Sequence, residues 1–287
     1  MPYRGNPFGI VYCHIKCYPA IIQFRNNVIF FPGNNVKKYN FTLVKKYWLF
    51  VLVAVICFAS CKKENMCDCY KSTGKIISEQ RTTEVFSSIY LSDNVNLFLL
   101  QDSTYSIRVE AGKNLLPLIK TRVEDGALYI SNNNKCNWIR SFKPQVNVYI
   151  KMPGLFFLQY SGCGDITMEN TFVGDSIWIN SKNGSGAVTL DLKTRICYLI
   201  INTGPCDVTC KGSTDELQLY HNGHGMVHCE NFPTFYTYVT NKNTGNCYLN
   251  VRDLLLYNIL WSGNIYYTGN PPQVSGKNSG SGNIIPF

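Results

Sequence analysis

Between residues 76 and 160, apolar and polar residues alternate in short runs: EVFSSIYLS (84–92), NVNLFLLQ (94–101), YSIRVEA (105–111), ALYISNN (127–133) and QVNVYIKM (145–152). Alternation of period two puts successive side chains on opposite faces of an extended chain, so each run predicts a half-buried strand. Turn-forming residues separate the runs at Ser92-Asp93-Asn94, Gln101-Asp102-Ser103 and Glu124-Asp125-Gly126. One helical turn fits between Asn114 and Thr121, with Pro117 limiting its length.

From residue 161 onward the pattern repeats. The segments SGCGDITM (161–168), NGSGAVTL (183–190), TGPCDVTC (203–210), NGHGMVHC (222–229), TGNCYLNV (244–251), SGNIYYTG (262–269) and SGSGNIIP (279–286) each place an apolar alternation after a glycine. Their first glycines, Gly162, Gly184, Gly204, Gly223, Gly245, Gly263 and Gly280, stand 22, 20, 19, 22, 18 and 17 residues apart. A period near 20 residues marks stacked units, none of which can bury its apolar face alone. The fourth residue after each glycine is Ile166, Val188, Val208, Val227, Leu249, Tyr267 and Ile284; the sixth, in the first five units, is Met168, Leu190, Cys210, Cys229 and Val251. Equal parity puts both positions on one side of a strand, so they predict inward-facing columns, with glycine supplying a corner of positive φ. Ahead of the glycines Ile177 and Ile179 fit one phase and Leu217 and Leu219 the other, which predicts a bulge or an uneven corner. The expected fold class is all-β: a β-helix or β-solenoid-like stack of roughly 20-residue glycine-cornered repeats, preceded by an N-terminal β region.

The 287 residues, 45% of them hydrophobic and 14% aromatic, are enough to close a packed core. Upstream lies an apolar segment of another kind. Val44-Lys45-Lys46, then YWLFVLVAVICF, then Ala59-Ser60-Cys61 has the order of a secretion signal. Its apolar run is shorter than the roughly 20 residues a spanning helix needs. Residues 44–60 are expected to be a lipoprotein signal peptide, 61–75 a polar tether, and 76–287 the folded domain, with repeats from 161. Residues 1–43 show no periodicity and are expected to be an upstream extension, with translation starting near Leu43 or Val44. Charge then reads differently: seven of the 27 Lys and Arg precede Cys61 and all 18 Asp and Glu follow it, so +9 falls to +2 in the mature part. That part has no basic stripe, so no nucleic acid partner is expected. Nine of the 13 cysteines follow Cys61, without a C-x-x-C doublet to suggest zinc. Export permits disulfides, but spacing alone does not pair them.

Phe58-Ala59-Ser60-Cys61 resembles the lipobox of bacterial lipoproteins, which implies cleavage after Ser60, lipidation of Cys61 and a membrane anchor through two acyl chains. From Arg81 and Phe86, through the glycine-cornered units, to SGNIYYTGNPPQVSGKNSGSGNI (262–284), the chain resembles the head GIN domain, the auto-transporter adhesin family of Bacteroidota envelope proteins. The resemblance covers roughly residues 80–287. It departs at Cys206 and Cys247, where a second glycine is usual, and at Gly263-Asn264, where a spacer residue is missing. It implies a β-solenoid-like domain on an outer-membrane lipoprotein, with either the periplasm or the cell surface as its side.

Candidate chemistry is sparse. His221, His224 and His228 fall within eight residues, with Cys229 beside the last, but a turn of the form HNGHGMVHC spreads them apart; they are expected at the surface, with no metal. GCGD (162–165) resembles calcium-binding GGxGxD repeats, yet only Asp165 and Asp207 hold that place among seven units, too few for six or more oxygens. The same two acids, two units apart, are at the upper range for an inverting glycosidase pair; exposed turn acids are the plainer reading. Cys210 and Cys229 share a column position in adjacent units, so either a disulfide or two buried thiols is allowed. Trp178, Tyr198, Tyr220, Tyr236, Tyr238, Tyr257, Trp261, Tyr266 and Tyr267 either form an outward strip for sugar rings or a protein partner, or pack against the N-terminal strands. The expected function is a lipid-anchored, non-catalytic binding or adhesion module of the cell envelope with a glycan or protein ligand and no cofactor. The alternatives are a carbohydrate-active β-helix hydrolase or lyase and a purely structural envelope protein.

Overall fold

The computed structural model describes residues 72–136 and 146–287. Cys61, the signal segment and most of the tether lie outside the described residues. The N-terminal region comprises β1 (Ile76–Arg81), β2 (Ser88–Asp93), β3 (Asn96–Gln101), β4 (Ser106–Gly112), a 3₁₀ turn at Leu116–Leu118, β5 (Ile119–Glu124), β6 (Ala127–Asn132) and β7 (Asn147–Met152). The turn falls where the sequence places it, with Pro117 inside it. The repeats supply β8 (Phe157–Gly162), β9 (Ile166–Met168), β10 (Phe172–Lys182), β11 (Val188–Thr203), β12 (Val208–His221), β13 (Val227–Asn241) and β14 (Cys247–Ile259). The last three strands are β15 (Ile265–Thr268), β16 (Gln273–Asn278) and β17 (Ile284–Pro286).

These strands build a solenoid with two walls. The leading ends of β11 to β14 stack in parallel between β9 above and β15 and β17 below, forming the first wall. Their trailing ends, with β8 and β10 above and β16 below, form the second wall. The N-terminal region continues both: β3 pairs with β9 and β7, and β2 with β8 and β6, all in parallel. Antiparallel partners then finish each wall, β4 and β1 beyond β7, and β5 beyond β6.

The interior is the apolar face of both walls. Ile166, Val188, Val208 and Val227 stand in register in adjacent turns, each at most 2% exposed. Leu249 is equally buried but sits one row over, level with Cys229; the residue level with Val227 is Cys247, followed by Ile265 and Ile284. Tyr267 likewise falls in the Leu249 row. Counting from the first glycine misplaces them because each corner has two glycine positions. Gly245 stacks on Gly225, the second position, while Asn243 and Trp261 occupy the first in their turns. Measured on the second position, residues 164, 186, 206, 225, 245, 263 and 282, the steps become more even: 22, 20, 19, 20, 18 and 19 residues. The parity break ahead of the glycines is an uneven corner, as expected: Ile177, Cys197 and Leu217 share one inward row, but two residues separate Ile201 from Gly204 and only one separates His221 from Gly223.

Positive φ is not what the corners chiefly require. Among the first-position glycines it occurs at Gly204 alone. The demand is close approach: a Cβ on Gly225 would run into the carbonyl oxygen of Cys206, and one on Gly245 into that of Gly225. Inside the corner, side chains in three of the turns reach those backbone groups. Tyr160 Oη donates to Gly164 O at 2.7 Å and accepts from Gly186 N at 2.8 Å. Asn241 Nδ2 donates to Gly245 O and Gly263 O at 3.2 and 3.0 Å, and Asn278 Nδ2 to Gly282 O at 2.8 Å.

Candidate functional site

On the second wall, alternation directs every other side chain outward, and the parallel register stacks those side chains along the solenoid axis. One such column reads Trp178, Tyr198, Gln218, Tyr238 and Leu256 through β10 to β14; the next reads Ile200, Tyr220, Thr240 and Asn258. Together they line a groove of about 470 Å³. The Trp178 and Tyr198 rings stack with centroids 4.2 Å apart. Tyr238 is 37% exposed, whereas the core residues between these positions are closed off. Gln218 donates from Nε2 to Glu216 Oε1 at 2.6 Å, which draws its amide along the strand. The lining contains no Asp, Glu, Lys, Arg, His or Cys. Such a surface offers flat apolar faces and amide or hydroxyl groups at its edges, a recurring composition of sites for uncharged ligands.

A second concavity, of about 410 Å³, lies where β10 leaves the N-terminal region. Tyr105, Leu155, Phe172 and Ile177 form its depth, and Phe156 and Val173, both more than half exposed, its rim.

The structure separates the residues that a metal or catalytic reading would join. His221 is fully buried, contrary to the expectation of a surface position; its row places it inside the corner beside Asn241. His224 is exposed at the turn, and His228 faces out from the first wall with its ring stacked on Tyr248. Burial pulls the His221 pKa down from 6.5 to about 4. Its Nδ1 is 3.3 Å from Cys247 Sγ, but burial also drives the Cys247 thiol well up, so both partners are held neutral rather than as a thiolate–imidazolium pair.

Asp165 and Asp207 face out at corner positions, each committed to the next turn. Asp165 Oδ1 accepts Ala187 N at 2.9 Å, and Asp207 Oδ1 accepts Met226 N at 2.7 Å. Asn246 and Asn264 do the same for Asn264 N and Asn283 N. The acids are therefore two members of a corner-closing series shared with asparagine. Of the seven described cysteines, Cys136 is disulfide-bonded and the other six are free. Cys210 and Cys229 are buried thiols; the neighbouring Cys229, then burial, raises the Cys210 pKa.

The aromatic residues divide by wall rather than packing together on the N-terminal strands. Trp178, Tyr198, Tyr220, Tyr238 and Tyr257 line the groove, Tyr236 and Trp261 are exposed outside it, Tyr266 joins the stack on the first wall, and Tyr267 packs against the core.

The family described as "Putative auto-transporter adhesin, head GIN domain" matches residues 85–271. Solved structures share the fold at low identity. A "putative adhesin" from Bacteroides fragilis is 19% identical, with a TM-score of 0.66 over 74% of this chain and 97% of that one. A "putative adhesin" from Parabacteroides merdae is also 19% identical, with a TM-score of 0.56 over 75% and 98%. A Parabacteroides distasonis protein called "Putative lipid binding protein" is 20% identical, with a TM-score of 0.55 over 75% and 98%. No curated protein matches the chain.

Proposed function

The chain belongs to the head GIN domain family, and from that premise we propose that it is a non-catalytic adhesion module of the cell envelope whose second wall holds an uncharged glycan. The observation that carries this reading is the stacked Trp178–Tyr198 platform opening onto a groove without a charged side chain. Aromatic faces gain most against the C–H faces of a ring that brings no charge to desolvate, while Thr240, Asn258 and Gln218 can meet hydroxyl groups at its edge. Catalysis has less support, because the groove lacks a general acid or base of the carboxylate or imidazole kind and the corner acids are tied to backbone. On this reading Cys61, after signal cleavage, carries the lipid that tethers the domain to the outer membrane; the mass of the mature N-terminus decides that point.

The test of the groove is a glycan array of neutral and acidic oligosaccharides, probed with the wild type and with a Trp178→Ala, Tyr198→Ala double variant. Retention of neutral glycans by the wild type alone is the expected result. Equal retention by both proteins would remove the groove from the account. A second reading, an acyl chain in the recess at Leu155 and Phe172, draws on the name of the P. distasonis protein. Binding of a fatty-acid probe that survives the double variant would favour it.

A further inference from the structure

The geometry points to a slot for a single uncharged sugar ring, clamped between Tyr198 and Tyr238 over Gln218, an assignment that rests on the glycan reading of the groove. Tyr198, Gln218 and Tyr238 occupy consecutive turns of one outward column. Parallel strands repeat every ~4.8 Å, so the two tyrosines are anchored about 10 Å apart. At three pairs of adjacent aromatic rungs the rings stack at about that repeat: 4.2 Å for Trp178 on Tyr198, 5.1 Å for His228 on Tyr248 and 5.0 Å for Tyr248 on Tyr266. The column at Gln218 is such a stack with one ring missing. The opening it leaves is one ring thick, with an aromatic residue on either side.

Gln218 suits the floor of that opening. Its amide nitrogen is engaged by Glu216, which orients the side chain along the strand. Among the described residues no group donates to its Oε1, which leaves that oxygen for a ligand hydroxyl. Tyr220, on the same turn in the neighbouring column, closes one flank, and Thr240 and Asn258 present polar atoms beyond it. An anionic sugar would find no cation in the lining and would meet the Glu216 carboxylate beside Gln218. A purely apolar ring would leave the Gln218 oxygen unpaired on being covered, a cost a hydroxylated ring does not incur. The ligand class is therefore an uncharged hexose unit, at a chain end or within a linear glycan, that presents both faces to aromatic rings.

The decisive variant fills the gap with the protein's own ring. Gln218→Tyr completes a run of four stacked aromatics, so the domain is expected to keep its fold and its melting temperature. Binding is measured by calorimetry with full-length protein and maltohexaose, cellohexaose, mannohexaose and chitohexaose, with sialyllactose as the charged control. For whichever neutral oligosaccharide the wild type binds, Gln218→Tyr is expected to weaken affinity on the order of tenfold or more, and Gln218→Ala by less. Wild-type affinity in a folded Gln218→Tyr protein would overturn the slot. If affinity in that case is still lost on Trp178→Ala, the groove reading survives without it. A wild type that binds only sialyllactose, or none of the five sugars, overturns both.

Discussion

The two walls carry outward columns built by the same stacking, and the columns end differently. On the first wall His228, Tyr248 and Tyr266 hold three consecutive rungs with rings nearly parallel, at 4° and 9°, and Phe287 seals the stack edge-on to both tyrosines. On the second wall Trp178, next to Phe157 of β8, stacks on Tyr198, Gln218 interrupts the column, and Tyr238 resumes it. A continuous column satisfies its rings with one another and becomes part of the scaffold. An interrupted column leaves two ring faces looking for a third. In a repetitive fold, the informative position is thus the polar residue that breaks an aromatic run.

The strongest perturbation of that comparison acts where the walls join. His221 is enclosed in the corner between them, and its pKa of about 4 lies below the 6.5 of a free imidazole. The folded state thus holds it neutral while the unfolded chain takes up a proton below 6.5. Stability from this residue is complete above pH 6.5 and is lost as pH falls towards 4, by about 3 kcal/mol in all. His221→Asn supplies the amide that Asn241 uses one turn later, and should flatten this acid slope in urea unfolding followed from pH 7 to 4.5. A variant that loses stability with acid as steeply as the wild type would place the titrating group elsewhere. A smaller effect separates the walls themselves. Tyr248→Ala should lower stability by about 1 kcal/mol, seen as a drop of a few degrees in melting temperature, and leave sugar binding untouched. Weakened sugar binding in that variant would mean that the first wall is not mere scaffold.

Much of this architecture was legible in the chain. The repeat near 20 residues and the inward parity of Ile166, Val188, Val208 and Val227 follow from apolar spacing, because a stacked turn tolerates few other placements. Counting from the first glycine sets Leu249 and Tyr267 two residues off, since Asn243 and Trp261 stand at first positions, Asn243 donating from Nδ2 to His221 O at 2.9 Å. A second-position glycine faces a carbonyl oxygen directly, which makes it the better marker of register, although Cys206 shows that even there a buried side chain can be fitted. The groove was only half visible. Its aromatic residues are plain, but which of them share a column depends on the unequal corners after Ile201 and His221 and on the bends within β10 to β14, which no local pattern encodes. The burial of His221 is not legible for a related reason: a polar residue can belong inside a corner whose backbone needs a partner.

The corner clips formed by Asp165, Asp207, Asn246 and Asn264 bear on how the domain would behave under pull. Tension along the solenoid axis loads successive turns in series, so extension proceeds by release of single turns rather than by rupture of the whole. Each release frees roughly 20 residues, or about 70 Å of slack. A domain built in this way absorbs shear in discrete steps, with the groove of the second wall intact until the turns that frame it are reached.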